Sequence, residues 1–248
     1  MSALLLAITL AALWLVSVRI KDSSIIDLFW GPAFSVLFWP TALAHGLTPR
    51  SILVGALVSF WGLRLGLYLA RRNLGHGEDK RYTAMRARHG PAWWWRSLFI
   101  VFALQGALAW IVSWPIRAVA EQPASDWTVI DAVATALTLA GIAFEAIGDA
   151  QLRAFKNDPA NKGVVMDRGL WRYTRHPNYF GNCLLWIGLG VFGLQTGAWW
   201  SAIGPVVMTF LLVRVSGKAL LEKDLSQRPG YAAYIARTSG FVPWPPRG

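Results

Sequence analysis

Residues 167–182 read DRGLWRYTRHPNYFGN, and the chain continues directly into the apolar run CLLWIGLGVFGL at residues 183–194. A polar, aromatic stretch that gives way abruptly to an apolar one is typical of the point where a chain enters a membrane. Pro177 suits the first position of the helix, because its missing N–H is a donor that a helix start leaves unpaired anyway. We therefore predict a helix that begins at Pro177, with His176 as its cap.

The composition of the whole chain excludes a soluble globular domain. Of the 248 residues, 55% are hydrophobic and only 15% are charged, whereas soluble domains carry roughly 25% charged residues. The 15 Trp residues suit the aromatic belts of a membrane protein. A net charge of +11 would favour nucleic acid as the partner of a soluble protein. Here the basic residues lie between apolar segments, so topology and an anionic ligand explain them, and we predict no nucleic-acid partner.

Seven apolar segments approach the roughly 20 residues that cross a bilayer. They occupy residues 3–18, 25–44, 52–70, 97–115, 128–147, 179–194 and 198–214. Pro32 and Pro40 in the second segment predict a kink or a break. The predicted fold is an all-α integral membrane protein, a seven-transmembrane helix bundle that forms one domain over residues 1–248.

The basic residues divide sharply between the two sides of this bundle. Four segments on one face hold 20 of the 24 Lys and Arg residues: 19–24, 71–96, 148–178 and the tail after Arg214. The opposite face holds only Arg50 and Arg117. Because cytoplasmic loops carry the excess of Lys and Arg, we predict that the basic face and the C-terminus are cytoplasmic. Its long loops are expected to cap a ligand site.

Three cationic side chains, Arg172, Arg175 and His176, lie beside the predicted helix start. A helix N-terminus presents free backbone N–H groups and the positive end of the helix dipole, which together attract anions. We interpret this corner as a phosphate-binding site at the membrane surface. The alternative is that the arginines anchor the chain to lipid headgroups.

Charged residues recur every three or four positions on the preceding helix: Glu145, Asp149, Arg153 and Lys156. Residues four apart share a helix face. Glu145 lies near the end of an apolar segment, where an ionisable group is expensive and usually functional. It is suited to accept hydrogen bonds from ribose or carboxamide groups, and a surface ladder of ion pairs is the alternative.

The second and third apolar segments contain three candidates for catalysis. Arg64 and Tyr68 share a helix face, and Asp27 precedes them in the second segment. Charged groups are costly in lipid, so Asp27 and Arg64 are expected to face the bundle interior. A neutral carboxylic acid there is able to donate a hydrogen bond to a substrate carbonyl. A mutual pair of Asp27 and Arg64 is the alternative.

Other familiar motifs are misleading or missing. Gly188, Gly190 and Gly193 match the spacing of a dinucleotide fingerprint, but they lie inside an apolar segment with no preceding strand. We interpret them as helix-packing glycines. The four histidines lack metal-ligand spacing, so we predict no metal site.

The string YTRHPNYFGN at residues 173–182, with GDAQLR at 148–153, resembles the membrane steroid 5-alpha-reductase superfamily, and most closely its bacterial branch. The tail YAAYIARTSGFVPWP at 231–245 is similar to that branch too. The resemblance is strong over roughly 141–243, weaker over 55–110 and faint before that. The string is specific for the superfamily but not for one reaction.

The resemblance implies an NADPH-dependent reductase of the bacterial inner membrane. Hydride would pass to the β carbon of a lipophilic, steroid-like enone, and a proton to its α carbon. Residues 128–248 would form the cofactor half and spans within 3–115 the substrate side. Asp149, Arg153 and Lys156 match the family's acidic–basic helix, Tyr173, Asn178 and Asn182 match its next cofactor motif, and Arg214 its late basic residue. With the residues argued above, the expected cofactor-binding set is Glu145, Asp149, Arg153, Lys156, Arg172, Tyr173, Arg175, His176, Asn178, Tyr179, Asn182 and Arg214.

The chain departs from the family pattern where steroid reductases face the substrate carbonyl. Phe29 and Trp30 stand near the place of a Gln-Glu pair, Trp61 near that of a tyrosine, and Glu145 where asparagine is usual. Cofactor binding is therefore better supported than steroid specificity.

Two other functions remain open at this stage. One is an S-adenosylmethionine-dependent membrane methyltransferase, because isoprenylcysteine carboxyl methyltransferases share an Arg-His-Pro-x-Tyr-x-Gly string and a similar tail. Residues 221–224, LEKD, are less acidic than those tails. The other is a transporter or scaffold, although the inverted repeats of a transporter are not evident.

Overall fold

A computed structural model gives the fold and describes residues 1–122, 126–215, 222 and 228–247. Of residues 221–224, only Glu222 therefore falls within the described part. Every regular element in these ranges is helical, and their β-type pairing is one isolated bridge between Thr174 and Ser239. The all-α prediction is confirmed.

The chain forms two compact units. The N-terminal unit comprises Met1–Trp127 and Gly193–Ile203, and the C-terminal unit comprises Thr128–Phe192 and Gly204–Gly248. In the first stretch the helices are α1 (Ser2–Ile20), α2 (Ile25–His45), α3 (Pro49–Asn73), α4 (Lys80–His89), α5 (Trp93–Ser97), α6 (Leu104–Val112) and α7 (Trp114–Glu121). Those that follow are α8 (Val129–Asn157), α9 (Pro177–Leu194), α10 (Ile203–Phe210) and α11 (Tyr231–Arg237). Two π-helical turns, Leu98–Ala103 and Leu211–Val215, precede α6 and follow α10.

Five helical stretches in the described ranges are long and apolar enough to cross a membrane: Ser2–Ile20, Ile25–His45, Pro49–Asn73, Lys80–Val112 and Val129–Asn157. They support an integral membrane protein and match the first five predicted segments. The last two predicted segments are also helical. However, α9 has only 18 residues and begins with polar ones, and the apolar stretch Trp199–Val215 is shorter still. The count of seven spans stays a prediction.

In the N-terminal unit, α2 runs through both prolines as one helix, so it is not broken there, and the kink stays a prediction. Pro32 has no N–H to give to the Leu28 carbonyl one turn earlier. A Cβ placed on Gly66 of α3 would lie 2.9 Å from that carbonyl oxygen. The glycine thus lets α3 approach α2 closely where the proline interrupts the helical hydrogen bonds.

In the C-terminal unit, α8 and α9 pack backbone against backbone. A Cβ on Gly181 would lie 2.4 Å from the Glu145 nitrogen, and one on Gly141 would lie 2.3 Å from the Leu185 nitrogen. Gly188 lies equally close to Thr138, which supports its interpretation as a packing glycine. Small residues are the usual means of such close helix contact in membranes.

Candidate functional site

Two amide–carboxylate pairs connect α8 to α9. The Asn182 Nδ2 donates to Glu145 Oε2 over 3.1 Å, and the Asn178 Nδ2 donates to Asp149 Oδ1 over 3.2 Å. The members of each pair are four residues from those of the next on both helices, so the two pairs form consecutive rungs between antiparallel helices. Four residues predicted to bind a cofactor are thereby brought together.

These rungs are buried polar groups. Glu145 and Asp149 are each 3% exposed and Asn182 is 7% exposed. Within the described part of the chain, the Oδ1 of Asn182 is buried and has no hydrogen-bond partner. A buried acceptor left in this state costs about 1–3 kcal/mol, and such groups are rare in native proteins. A ligand that brings an N–H or O–H donor to Asn182 would remove this cost.

The start of α9 lies where the sequence predicted it, at Pro177. The Asn178 Oδ1 accepts from the Tyr179 N–H over 3.0 Å, which satisfies one free donor of the first turn. The Tyr179 ring stacks on His176, with centroids 5.6 Å apart and an angle of 6° between the planes. The helix start thus fixes the direction of the Asn178 amide toward Asp149.

Arg175 and His176 contact the C-terminal part of the chain. The Arg175 Nε donates to Glu222 Oε1 over 2.9 Å, and the His176 Nε2 lies at the same distance from that oxygen. The Arg175 Nη1 also donates to the carbonyls of Thr238 and Ile235, at 3.0 and 3.3 Å. These two predicted phosphate ligands therefore connect the start of α9 to the tail.

Glu222 titrates in a cationic environment. Burial by itself would raise the pKa of its carboxyl, but hydrogen bonds and charge from Arg175 and His176 outweigh burial and hold the pKa below its usual range. The carboxylate is therefore the stable form of Glu222 in the folded protein near neutral pH.

The remaining predicted cofactor residues all lie in the C-terminal unit but outside the rungs. Their side chains are exposed: Arg153, Lys156, Arg172, Tyr173 and Arg214. Among the described residues no group of three or more His, Cys, Asp or Glu side chains is arranged to hold a metal ion.

A family model described as DUF1295, protein of unknown function, matches residues 13–238. The chain belongs to the DUF1295 family. An uncharacterized protein from Schizosaccharomyces pombe is 26% identical over 264 aligned positions, which cover 93% of this chain and 75% of that protein. No solved structure matches the chain significantly. The match includes both rungs and the Arg175–Glu222 contact, and the family description assigns them no activity.

Three neighbours of the rungs in this DUF1295 protein were not identified from the sequence. The Trp171 Nε1 donates to the Gly148 carbonyl over 3.0 Å, and the Tyr234 hydroxyl donates to the Trp171 carbonyl over 2.6 Å. The Gln151 Oε1 accepts from the Leu170 N–H over 2.9 Å. These bonds hold the loop before α9, and α11 beyond it, against α8. The partners lie up to 63 residues apart, so no local pattern could have revealed them.

The predicted catalytic residues lie in the N-terminal unit of the DUF1295 protein. Asp27 is in the first turn of α2, and its partners come from α4. The Tyr82 hydroxyl donates to Asp27 Oδ1 over 2.7 Å, and the Arg81 Nη2 donates to Asp27 Oδ2 over the same distance. Arg64 and Tyr68 are half-buried one turn apart on α3. No local pattern in the sequence indicated that Arg81 and Tyr82 of α4 would bind Asp27.

Proposed function

We propose that this DUF1295 protein is an NADPH-dependent membrane reductase. It transfers hydride to the carbon–carbon double bond of a lipophilic enone, such as a 3-oxo-Δ4 steroid. The resemblance of residues 173–182 to the steroid 5-alpha-reductase superfamily supports this reaction class, and the apolar helices support a membrane-soluble substrate.

The observation that carries the proposal is the buried Asn182 Oδ1 beside the Glu145 carboxylate. A nicotinamide carries a carboxamide, and its ribose carries hydroxyls, so both bring N–H or O–H donors. Glu145 and Asp149 are acceptors when ionised, and the Asn178 and Asn182 side chains offer both donor and acceptor atoms. This donor and acceptor set fits such a cofactor.

The chemistry divides between the cofactor and the chain. Bound NADPH supplies the hydride. The residues of the two rungs orient the cofactor, and the exposed cations Arg153, Lys156 and Arg172 are suited to its phosphates. An acid group near the substrate carbonyl stabilises the negative charge that develops on its oxygen as hydride reaches the β carbon. The candidates for that group are Arg64 and Tyr68, because both carboxyl oxygens of the third predicted residue, Asp27, already accept hydrogen bonds from Arg81 and Tyr82.

The charge distribution supports an orientation for this site. Most Lys and Arg residues, including all of those after residue 147 except Arg214, fall on the face assigned to the cytoplasm. We accordingly place the cofactor residues and the C-terminus on the cytoplasmic side of a bacterial inner membrane, where soluble NADPH has access to them.

Thermal stabilisation of the purified full-length protein in detergent tests the proposal. A ligand at 100 times its dissociation constant should add about 2.7 kcal/mol of stability. We expect NADPH to stabilise the protein and S-adenosylmethionine to have no effect. Asn178→Ala should abolish the NADPH effect, whereas Asn157→Ala, an exposed asparagine at the end of α8, should retain it. An NADPH response in the parent protein would then justify turnover assays with testosterone and progesterone.

The same titration contains the result that would overturn the proposal. Stabilisation by S-adenosylmethionine alone would exclude the hydride mechanism and favour methyl transfer. Stabilisation by neither compound would remove the cofactor from the proposal, provided that the protein melts cooperatively.

A further inference from the structure

A polar cavity of about 280 Å³ lies beside α11 and the chain that follows it. Its wall includes Arg175, Arg237 and Arg247, with Thr238 and Ser239 between them. The loop closes on itself where the Arg247 N–H donates to the Arg237 carbonyl over 2.9 Å. Guanidinium donors around one space are suited to a phosphate group, because arginine matches the geometry of its oxygens.

The charges around the cavity leave a positive excess. Arg175 pairs with Glu222, and Arg237 pairs with Asp167. Arg247 is exposed, and in the described part of the chain its guanidinium makes no ion pair. Three cations therefore face two carboxylates, and Arg247 is the cation available to a ligand.

The C-terminal end of α11 does not cancel this attraction. Helix C-termini carry partial negative charge on free carbonyl groups, which repel anions. Here the Arg175 Nη1 binds the carbonyls of Ile235 and Thr238. The guanidinium thus neutralises the carbonyl oxygens that would otherwise oppose an anion.

Hydrogen bonds join α11, which lines the cavity, to the end of the apolar part of α8. Residues 132–144 of α8 contain no charged side chain, and charged side chains recur from Glu145 onward. Trp171 binds the Gly148 carbonyl at this boundary, and Tyr234 of α11 binds Trp171. These two bonds therefore place α11 beside the point where α8 leaves the apolar layer.

Large apolar side chains beside the cavity are exposed. Ile235 is 38% exposed, Val242 59% and Trp244 69%. Exposed tryptophan beside cationic residues is characteristic of the interfacial layer, in which the ring contacts acyl chains and headgroups together. A soluble phosphate would gain nothing from these side chains, whereas a phospholipid would contact them with its glycerol and first methylene groups.

We propose that this cavity binds the phosphate group of an anionic phospholipid. Arg247 contacts the phosphate oxygens, and Trp244 packs against the lipid. The bound lipid holds the tail at the membrane surface. It thereby stabilises the hydrogen bonds of Arg175 to the carbonyls of Ile235 and Thr238. This site is separate from the two rungs, so it stands whether or not the protein binds NADPH.

Native mass spectrometry of the full-length protein in an uncharged detergent tests the site. The probes are dioctanoyl phosphatidylglycerol, dioctanoyl phosphatidylcholine and inorganic phosphate. We expect one tightly held phosphatidylglycerol per chain and weaker retention of the other two. Arg247→Gln should weaken phosphatidylglycerol about fivefold, in line with the contribution of one basic residue near an anionic surface. Arg247→Lys should retain most of the affinity.

Arg88→Gln is the matched control, because Arg88 is an exposed arginine of α4 in the other unit and the charge change is identical. If Arg88→Gln binds phosphatidylglycerol as tightly as the parent protein does, the result supports the cavity as the binding site. Equal weakening by Arg88→Gln and Arg247→Gln would show attraction by net charge alone and would overturn the proposal. Equal retention of phosphatidylcholine, or binding of inorganic phosphate as tight as that of the lipid, would overturn the lipid assignment.

Discussion

Asn182 donates a hydrogen bond from Nδ2 to Glu145 Oε2 over 3.1 Å, while its Oδ1 is buried without a partner in the described part of the chain. The two ends of one amide therefore differ. The nitrogen connects α9 to α8, and the oxygen is an acceptor without a donor. An unmade buried hydrogen bond costs about 1–3 kcal/mol. A ligand that brings a donor to this oxygen would gain a similar amount of binding free energy.

Replacement of Asn182 by leucine should separate these two roles. Asn182→Leu removes the donor to Glu145, so we expect the folded protein to lose about 1–3 kcal/mol of stability. It also removes the acceptor, so NADPH should bind at least tenfold more weakly. Thermal melting without ligand measures the first effect, and the NADPH dissociation constant measures the second.

The double variant Glu145→Leu/Asn182→Leu is the control for this prediction. Removal of both partners leaves fewer unpaired polar groups, so part of the lost stability should return. NADPH binding should not return, since both ligand-facing groups are gone. Recovery of NADPH binding together with stability would mean that the rung is structural only.

The close contact of α8 with α9 should be sensitive to a single methyl group. In Gly181→Ala the new Cβ would lie 2.4 Å from the Glu145 nitrogen, so the helices must separate. Overpacking of this kind typically costs about 1–3 kcal/mol, and both rungs should weaken with it. Thermal melting of Gly181→Ala should therefore show lower stability and weaker stabilisation by NADPH.

Ala143→Val serves as the comparison, because Ala143 is an exposed residue of α8, the helix that Gly181 contacts. The substitution adds two methyl groups at an exposed position, so we expect the stability to change by no more than about 0.5 kcal/mol. Equal destabilisation by the two variants would contradict a specific backbone contact at Gly181.

The residues of the rungs were predictable from the sequence, but their pairing was not. Glu145 and Asp149 stood out because four-residue spacing puts them on one helix face at the end of an apolar segment. The start of α9 was predictable because proline favours the first helical position. The register between the helices depends on glycine contacts such as Gly141 with Leu185, and a single sequence does not specify which glycines meet.

The partners of Asp27, by contrast, were not predictable from the sequence. The sequence placed it inside a span and offered Arg64 as a partner, because charge in lipid demands compensation. The structure puts Asp27 in the first turn of α2, where Arg81 and Tyr82 bind it. These partners follow it by 54 and 55 residues. Tertiary packing of α4 decides this contact, and helical periodicity contains no information about it.

Acid should weaken the connection between the tail and α9. The pKa of Glu222 is lower in the folded protein than the ordinary glutamate value of 4.5. A depressed pKa contributes stability above the unfolded pKa and loses it as the pH falls through the folded value. Glu222→Gln should therefore be less stable than the parent protein at pH 7, and the difference should shrink progressively below pH 4.5.

Thermal melting of both proteins between pH 7 and pH 3 measures this difference. Protonated glutamate resembles glutamine in shape, so other acid effects should appear equally in both and cancel. A stability difference that stays constant down to pH 3 would contradict a role for the Glu222 charge.

The Tyr82 hydroxyl should stabilise the fold through its hydrogen bond to Asp27, and it should not contribute to cofactor binding. Tyr82 is 5% exposed, donates to Asp27 over 2.7 Å and accepts from the Gln105 Nε2 over 3.1 Å. Tyr82→Phe leaves both partners without this hydroxyl, so we expect a loss of about 1–3 kcal/mol in the free energy of unfolding.

A double-mutant cycle of Tyr82→Phe with Asp27→Ala measures the contribution of this contact to stability. The coupling energy should fall within about 0.5–3 kcal/mol. Tyr173→Phe, at an exposed tyrosine, should change stability little. A coupling near zero would show that the Tyr82–Asp27 contact does not contribute, and a large loss of NADPH affinity in Tyr82→Phe would contradict a purely structural clamp.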